Sequence, residues 1–140
     1  MNQEEIKKII THRDNMLLVE EAEVVDENTS RGKYTVKGDE YFLKGHFPGN
    51  PVVPGVILCE MMAQASCVLL AGKAKGMTPY FTKLNNVKFK NKVLPGDTLE
   101  SECKLVRNRG AFYFLEAKGT VNGKLCVSAE FAFALVENGE

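Results

Sequence analysis

The longest apolar stretch of the chain runs from Val56 to Ala71, VILCEMMAQASCVLLA, and only Glu60, Gln64 and Ser66 interrupt it with polar side chains. Apolar character on nearly every side is the mark of a buried helix. The preceding segment, GHFPGNPVVPG from Gly45 to Gly55, holds three prolines and three glycines and excludes regular helix. Pro54 suits a first helical turn, where a missing N–H costs nothing. Gly72 offers an early stop for the helix, Gly76 the latest, and Pro79 guards the far side. Elsewhere the pattern is shorter in period. Asn2 to Ile10 predicts a short helix capped by Asn2 with Glu5, its Ile6, Ile9 and Ile10 on one face. Met16–Val25 and Ser30–Val36 predict paired strands about a turn at Asp26–Asn28, with Tyr34 and Val36 facing one way.

The second half predicts antiparallel β-structure throughout. Tyr80–Phe89 ends at the turn Leu94-Pro95-Gly96-Asp97, and Thr98–Val106 alternates with Leu99, Cys103 and Leu105 inward. Arg107 to Gly110 predicts a turn, and Asn122-Gly123 between Ala111–Val121 and Lys124–Val136 is a strong hairpin signal. These elements sum to a single α+β domain over residues 1–140, one long helix lying against an antiparallel sheet of about six strands. One helix covers one face only, and a symmetric dimer is the simplest protection for the rest.

Composition narrows the function classes. The 140 residues are 44% apolar and 26% charged, with 18 basic and 18 acidic side chains, so no global basic field invites nucleic acid. No segment has the length of a membrane span, and the charged start MNQEEIKKII predicts no signal peptide. Cys59, Cys67, Cys103 and Cys126 lack metal-ligand spacing and predict reduced core thiols in a cytoplasmic protein. His12 and His46 are the two histidines, and neither has a second ligand at metal-binding spacing.

Candidate chemistry gathers where the loop meets the helix. Glu60, Gln64, Cys67 and Ala71 form one stripe of the helix. Two readings of Glu60 stand open on pattern alone: a solvent-facing residue on a narrow polar seam bonded to Gln64, or a desolvated carboxyl kept protonated as a general acid. His46, in the turn-rich loop, has the side chain of a general base. The amide of Gly55 opens the helix at its positive end, where an anionic oxygen is stabilised. Base, acid and oxyanion donor together suit proton abstraction next to a carbonyl.

The motif H-F-P-G-N-P-V-V-P-G-V at His46–Val56, with Glu60 fourteen residues after His46 and Ala63-Gln64 following, resembles the signature of 3-hydroxyacyl-acyl-carrier-protein dehydratases of the FabZ type. The likeness extends to H-R-x-x-x-L-L-V at His12–Val19, V-K-F-K-x-x-V-x-P-G-D at Val87–Asp97 and A-E-F at Ala129–Phe131. The resemblance implies a hot-dog fold, a homodimer that assembles further as a trimer of dimers (a homohexamer), and a site at the dimer interface. There His46 of one copy meets Glu60 of the other beside an apolar tunnel. It implies Tyr80 at a gating position with Phe81 beside it, and Gln64 orienting Glu60 or the leaving water. The implied reaction turns a (3R)-hydroxyacyl thioester on acyl carrier protein into a trans-2-enoyl thioester in fatty acid elongation, with no metal or redox cofactor. Lys88, Lys90 and Lys92, read as alternating along a strand, with Arg107 or Arg109, are expected to dock the acidic carrier protein; the plainer reading is a solvated strand face.

Two alternatives remain. The same acid and base can add trans-2 to cis-3 isomerisation, the FabA-type activity, and Glu rather than Asp at position 60 favours the FabZ type. A non-catalytic acyl-binding hot-dog protein is the other, against which the retention of both His46 and Glu60 argues.

Overall fold

The computed structural model describes residues 1–72 and 76–137. A short helix α1 (Gln3–Ile6) is closed by the expected capping box: Glu5 N–H donates to Asn2 Oδ1, and Asn2 N–H donates to the Glu5 carboxylate. The six strands are β1 (Glu21–Asp26), β2 (Thr29–Thr35), β3 (Met77–Phe89), β4 (Thr98–Arg109), β5 (Phe112–Val121) and β6 (Lys124–Glu137). They form one antiparallel sheet in the order β1-β2-β4-β5-β6-β3. Helix α2 (Gly55–Ser66), extended by a 3-10 turn over Cys67–Leu70, lies along its inner face. That is the hot-dog arrangement.

The helix is buried because it is covered twice. Leu58, Met61 and Met62 pack against sheet residues such as Leu99, Cys103, Leu115 and Phe131. On the other side Ala65, Cys67 and Val68 join Ile6, Ile10, Leu17 and Val19 of the amino-terminal segment. All four cysteines are free and buried. A Cβ on Gly32 of β2 would stand 2.5 Å from the Ala65 Cβ, so glycine there lets helix and sheet approach.

Four expectations are corrected. Helix α1 ends at Ile6, and Ile10 reaches the core from a turn. Leu17–Val19 is irregular, not strand, because Gln64 Oε1 takes the Leu18 N–H (2.7 Å) and directs the apolar run onto the helix. Pro54 is the cap and not a helical residue; its carbonyl accepts from Ile57 and Leu58. Arg107 and Arg109 lie on β4, which runs through to Arg109, so the turn is confined to Gly110-Ala111. The Asn122-Gly123 hairpin is as expected, both residues having positive φ. The helical run stops before Gly72; the segment between Gly72 and Gly76, also allowed for its end, lies outside the described residues.

Candidate active site

The loop ahead of α2 closes on itself. His46 N–H donates to Leu43 O, Val52 N–H to His46 O (2.7 Å), and Phe47 and Asn50 exchange backbone bonds. Val53 N–H ties the loop to Val93 O at 2.9 Å. Across a cis peptide bond the His46 and Phe47 rings stack, centroids 4.2 Å apart. His46 Nδ1 lies 2.9 Å from Val52 O. A carbonyl oxygen only accepts, so Nδ1 carries the hydrogen and Nε2 is left with a free lone pair. The ring is thus held as a base.

Gly55 is the first residue of α2, where the opening N–H groups have no partner within the helix. The Phe89 ring at the end of β3 packs so closely that a Cβ on Gly55 would stand 2.6 Å from it. A larger residue here would have to displace the exposed Phe89 ring, so glycine suits this packing.

Glu60 sits one turn below Gln64 and is partly covered. Gln64, 1% exposed, donates from Nε2 to Met16 O (2.8 Å) and to Glu60 Oε2 (2.9 Å). His12 Nε2 lies 3.2 Å from the same Oε2. Burial pushes the carboxyl upward, but the hydrogen bonds from His12 and Gln64 outweigh it and hold Glu60 below the ordinary carboxylate range. The expectation of a carboxyl held protonated by desolvation is therefore corrected for the single chain: two N–H donors favour the anion. Of the seam reading, the bond to Gln64 is present, but the Glu60 side chain is mostly covered and not solvent-facing. Burial first, and then the nearby Glu60 carboxylate, push the Cys67 thiol up to about 12, which removes it as a nucleophile.

Glu60, His12, Ala63, Gln64 and Cys67 line a cleft with Pro79, Phe81 and Phe133. Its volume, about 40 Å³, is far below what an acyl chain fills. His46 is not among its lining residues; Phe81 is, while Tyr80 pairs with Ala134 on the opposite face of β3 and is exposed. A larger hollow of about 600 Å³ on the outer sheet face holds neither histidine nor cysteine, and its Arg31, Lys33 and Lys118 pair with Glu102 and Glu21.

The five basic candidates do not form one cluster. Arg107 is in register with Phe114, Ala132 and Lys83, and Arg109 with Phe112, Ala134 and Tyr80. Lys88 is level with Ser128, Lys118 and Glu102, well along the sheet. Lys90 and Lys92 lie beyond the end of β3, so the expected lysine row along one strand is corrected. The residue that sequence reasoning passed over is His12. A lone histidine in a polar turn gives no local signal, and only its place in the H-R-x-x-x-L-L-V motif marked it.

A helix wrapped by one antiparallel sheet, with a fixed-tautomer histidine before it and a partly covered carboxylate on it, defines a hot-dog protein equipped for acid–base chemistry. The comparisons agree. The profile of the FabA-like domain matches residues 10–130. The chain is 43% identical over 137 residues to a 3-hydroxyacyl-(acyl-carrier-protein) dehydratase FabZ of Clostridium perfringens, covering 96% of this chain and 99% of that one. A FabZ of Clostridium botulinum is 41% identical over 134 residues, covering 94% and 93%. In fold it is similar to a chain of the dehydratase heterocomplex ApeI:P from Xenorhabdus doucetiae (TM-score 0.78, 19% identity, 96% and 91% covered). It also resembles the E. coli PaaI protein from the phenylacetic acid degradation operon (TM-score 0.64, 14% identity, 81% of each chain). The chain belongs to the FabA/FabZ-type family of hot-dog dehydratases.

Proposed function

We propose that this chain is a hydro-lyase that dehydrates a (3R)-hydroxyacyl thioester on acyl carrier protein to the trans-2-enoyl thioester. The observation that carries the reading is the tautomer of His46, whose Nδ1–H is spent on Val52 O and whose Nε2 is free to accept a proton. His46 Nε2 takes the C2 proton, and electron density moves onto the thioester oxygen, which accepts from the Gly55 amide at the helix N-terminus. The C3–O bond breaks as Glu60 gives its proton to the departing hydroxyl. Water leaves, and the C2–C3 double bond remains. Gln64 orients Glu60. The step draws on no redox group and no metal.

Two copies complete the site. Phe81, Leu84 and Phe89 are in register with the buried Phe133, Phe131 and Val127, hence on the inner face, yet all three are exposed. Val56, on the first turn of α2, is 70% exposed. Edge strand β3 and this apolar flank suit a second copy, which brings its His46 to Glu60 and encloses the acyl chain. A trimer of such dimers is the further assembly in this reading. The same closure removes water from Glu60, and desolvation then drives the carboxyl toward the protonated form the acid step needs. Phe81, at the cleft wall, and Tyr80, next to it on the outer face of β3, are the gate. Arg107 and Arg109 with Lys83, sharing the outer face at the Tyr80 end, suit an acidic carrier protein better than the distant Lys88, Lys90 and Lys92. A carrier-borne substrate and four reduced thiols suit a cytoplasmic enzyme.

The test is spectrophotometric. Purified protein with 3-hydroxyacyl thioesters is expected to develop the enoyl-thioester absorbance, and absence of turnover in either direction at every chain length sinks the reading. Chromatography of the product for a cis-3 isomer decides the isomerase alternative.

A further inference from the structure

Both donors that reach Glu60 converge on one oxygen. Oε2 accepts from Gln64 Nε2 at 2.9 Å and faces His12 Nε2 at 3.2 Å. A carboxylate oxygen only accepts, so His12 presents Nε2–H to it. His12 is itself pinned: Arg13 donates to the carbonyls of Lys7 (2.8 Å), Ile10 (2.8 Å) and His12 (2.7 Å), which folds the turn around the guanidinium. Gln64 fixes the other flank of the same segment through Met16 O and Leu18 N–H. His12 Nδ1 is buried and, among the described residues, has no hydrogen-bond partner. The Nε2–H tautomer leaves that atom a bare lone pair and avoids burying an unpartnered N–H.

We infer that His12 is a positioning residue which, with Gln64, clamps Oε2 of Glu60 so that Oε1 is the oxygen that carries and delivers the proton. A neutral carboxyl has one carbonyl-type oxygen that accepts and one hydroxyl that donates. Two N–H groups on Oε2 assign it the accepting role, and the proton goes to Oε1. Without His12 the carboxyl keeps one donor, turns about its terminal torsion, which is broad, and aims the proton away from the leaving oxygen. The cost falls on the chemical step and leaves binding of the acyl chain and the carrier untouched.

The inference rests on the proposed dehydratase reading, and the wild-type assay separates the two: if wild type does not turn over 3-hydroxyacyl thioesters, that reading fails first. With an active wild type, His12→Leu is expected to lower kcat by about 10²-fold, the order of loss a misplaced catalytic group causes, with KM within about twofold. His12→Gln, whose Nε2 reaches as far as the imidazole Nε2, is expected to recover most of that loss. The inference is overturned if the Leu variant keeps near wild-type kcat, or if a folded Gln variant is as slow as the Leu variant. It is equally overturned if the loss appears in KM instead of kcat. Thermal unfolding checks that each variant is folded, and if the Leu variant does not fold, the kcat of the Gln variant decides alone.

Discussion

Glu60 lies between opposing forces, burial driving it toward the neutral acid and two N–H groups toward the anion. In the proposed reaction, closure of the site adds to the burial side and moves Glu60 toward the acid form. Glu60→Gln keeps the shape and removes the proton, so kcat is expected to fall by roughly 10²–10⁴-fold, the range for loss of a general acid, with the protein still folded. Retention of near-normal turnover would remove Glu60 from the acid role. The oddity of Glu60 was legible in the sequence because the run around it is apolar. The direction of its shift was not, since the donor that offsets burial comes from His12, a residue remote along the chain that folding places beside it.

At the scale of elements, two glycines set how closely pieces meet. Gly55→Ala would place a Cβ 2.6 Å from the Phe89 ring. This ring is the end of a flexible, exposed side chain that can swing aside, so the denaturation midpoint should drop only slightly, at the low end of the ~1–3 kcal/mol cost of overpacking, along with kcat. An unchanged midpoint would contradict the packing role. Turn carboxylates give the elements their acid sensitivity. Burial raises Glu40 and Glu20, but Glu40 accepts from the N–H groups of Lys37 and Gly38 and from Tyr34 O–H, and Glu20 from Lys37 and the Thr35 N–H. Both end below the ordinary carboxylate range. A depressed folded pKa stabilises above the unfolded value of about 4.3 and is lost as pH falls through the folded one. Thermal unfolding should therefore be nearly flat from pH 7 to about 5 and decline below about 4, and Glu40→Gln should flatten part of that decline. A decline of unchanged steepness would assign the acid sensitivity to other carboxylates. Hydrophobic period placed most strands to within a few residues and found the Asn122-Gly123 hairpin. It misread Leu17–Val19, because three apolar residues in a row look alike whether they enter a sheet or pack on a helix; Gln64 decides between the two.

The whole molecule is legible only with a second copy in view. Phe81, Leu84 and Phe89 face inward and are still exposed, a contradiction within one chain that the proposed pairing of two copies would resolve. Leu84→Asp is expected to shift the protein to monomer in analytical ultracentrifugation and to abolish turnover together, whereas an active monomer would contradict a shared site. Periodicity showed that the sheet had a face in need of cover, and the FabZ-like motif supplied the cross-subunit arrangement. Docking residues were less legible, because alternation groups lysines along a strand while register decides which of them stand together.

In the proposed enzyme His46 and Glu60 act on one substrate from different copies, and subunit mixing separates this arrangement from a site within one chain. His46→Ala and Glu60→Gln proteins, each inactive alone, are unfolded together in equal amounts, refolded and assayed by enoyl-thioester absorbance. Half of randomly reassorted dimers then carry one intact site of two, so about a quarter of wild-type activity should return. If reassortment is verified and no activity returns, both residues act within one chain and a site shared between copies is ruled out.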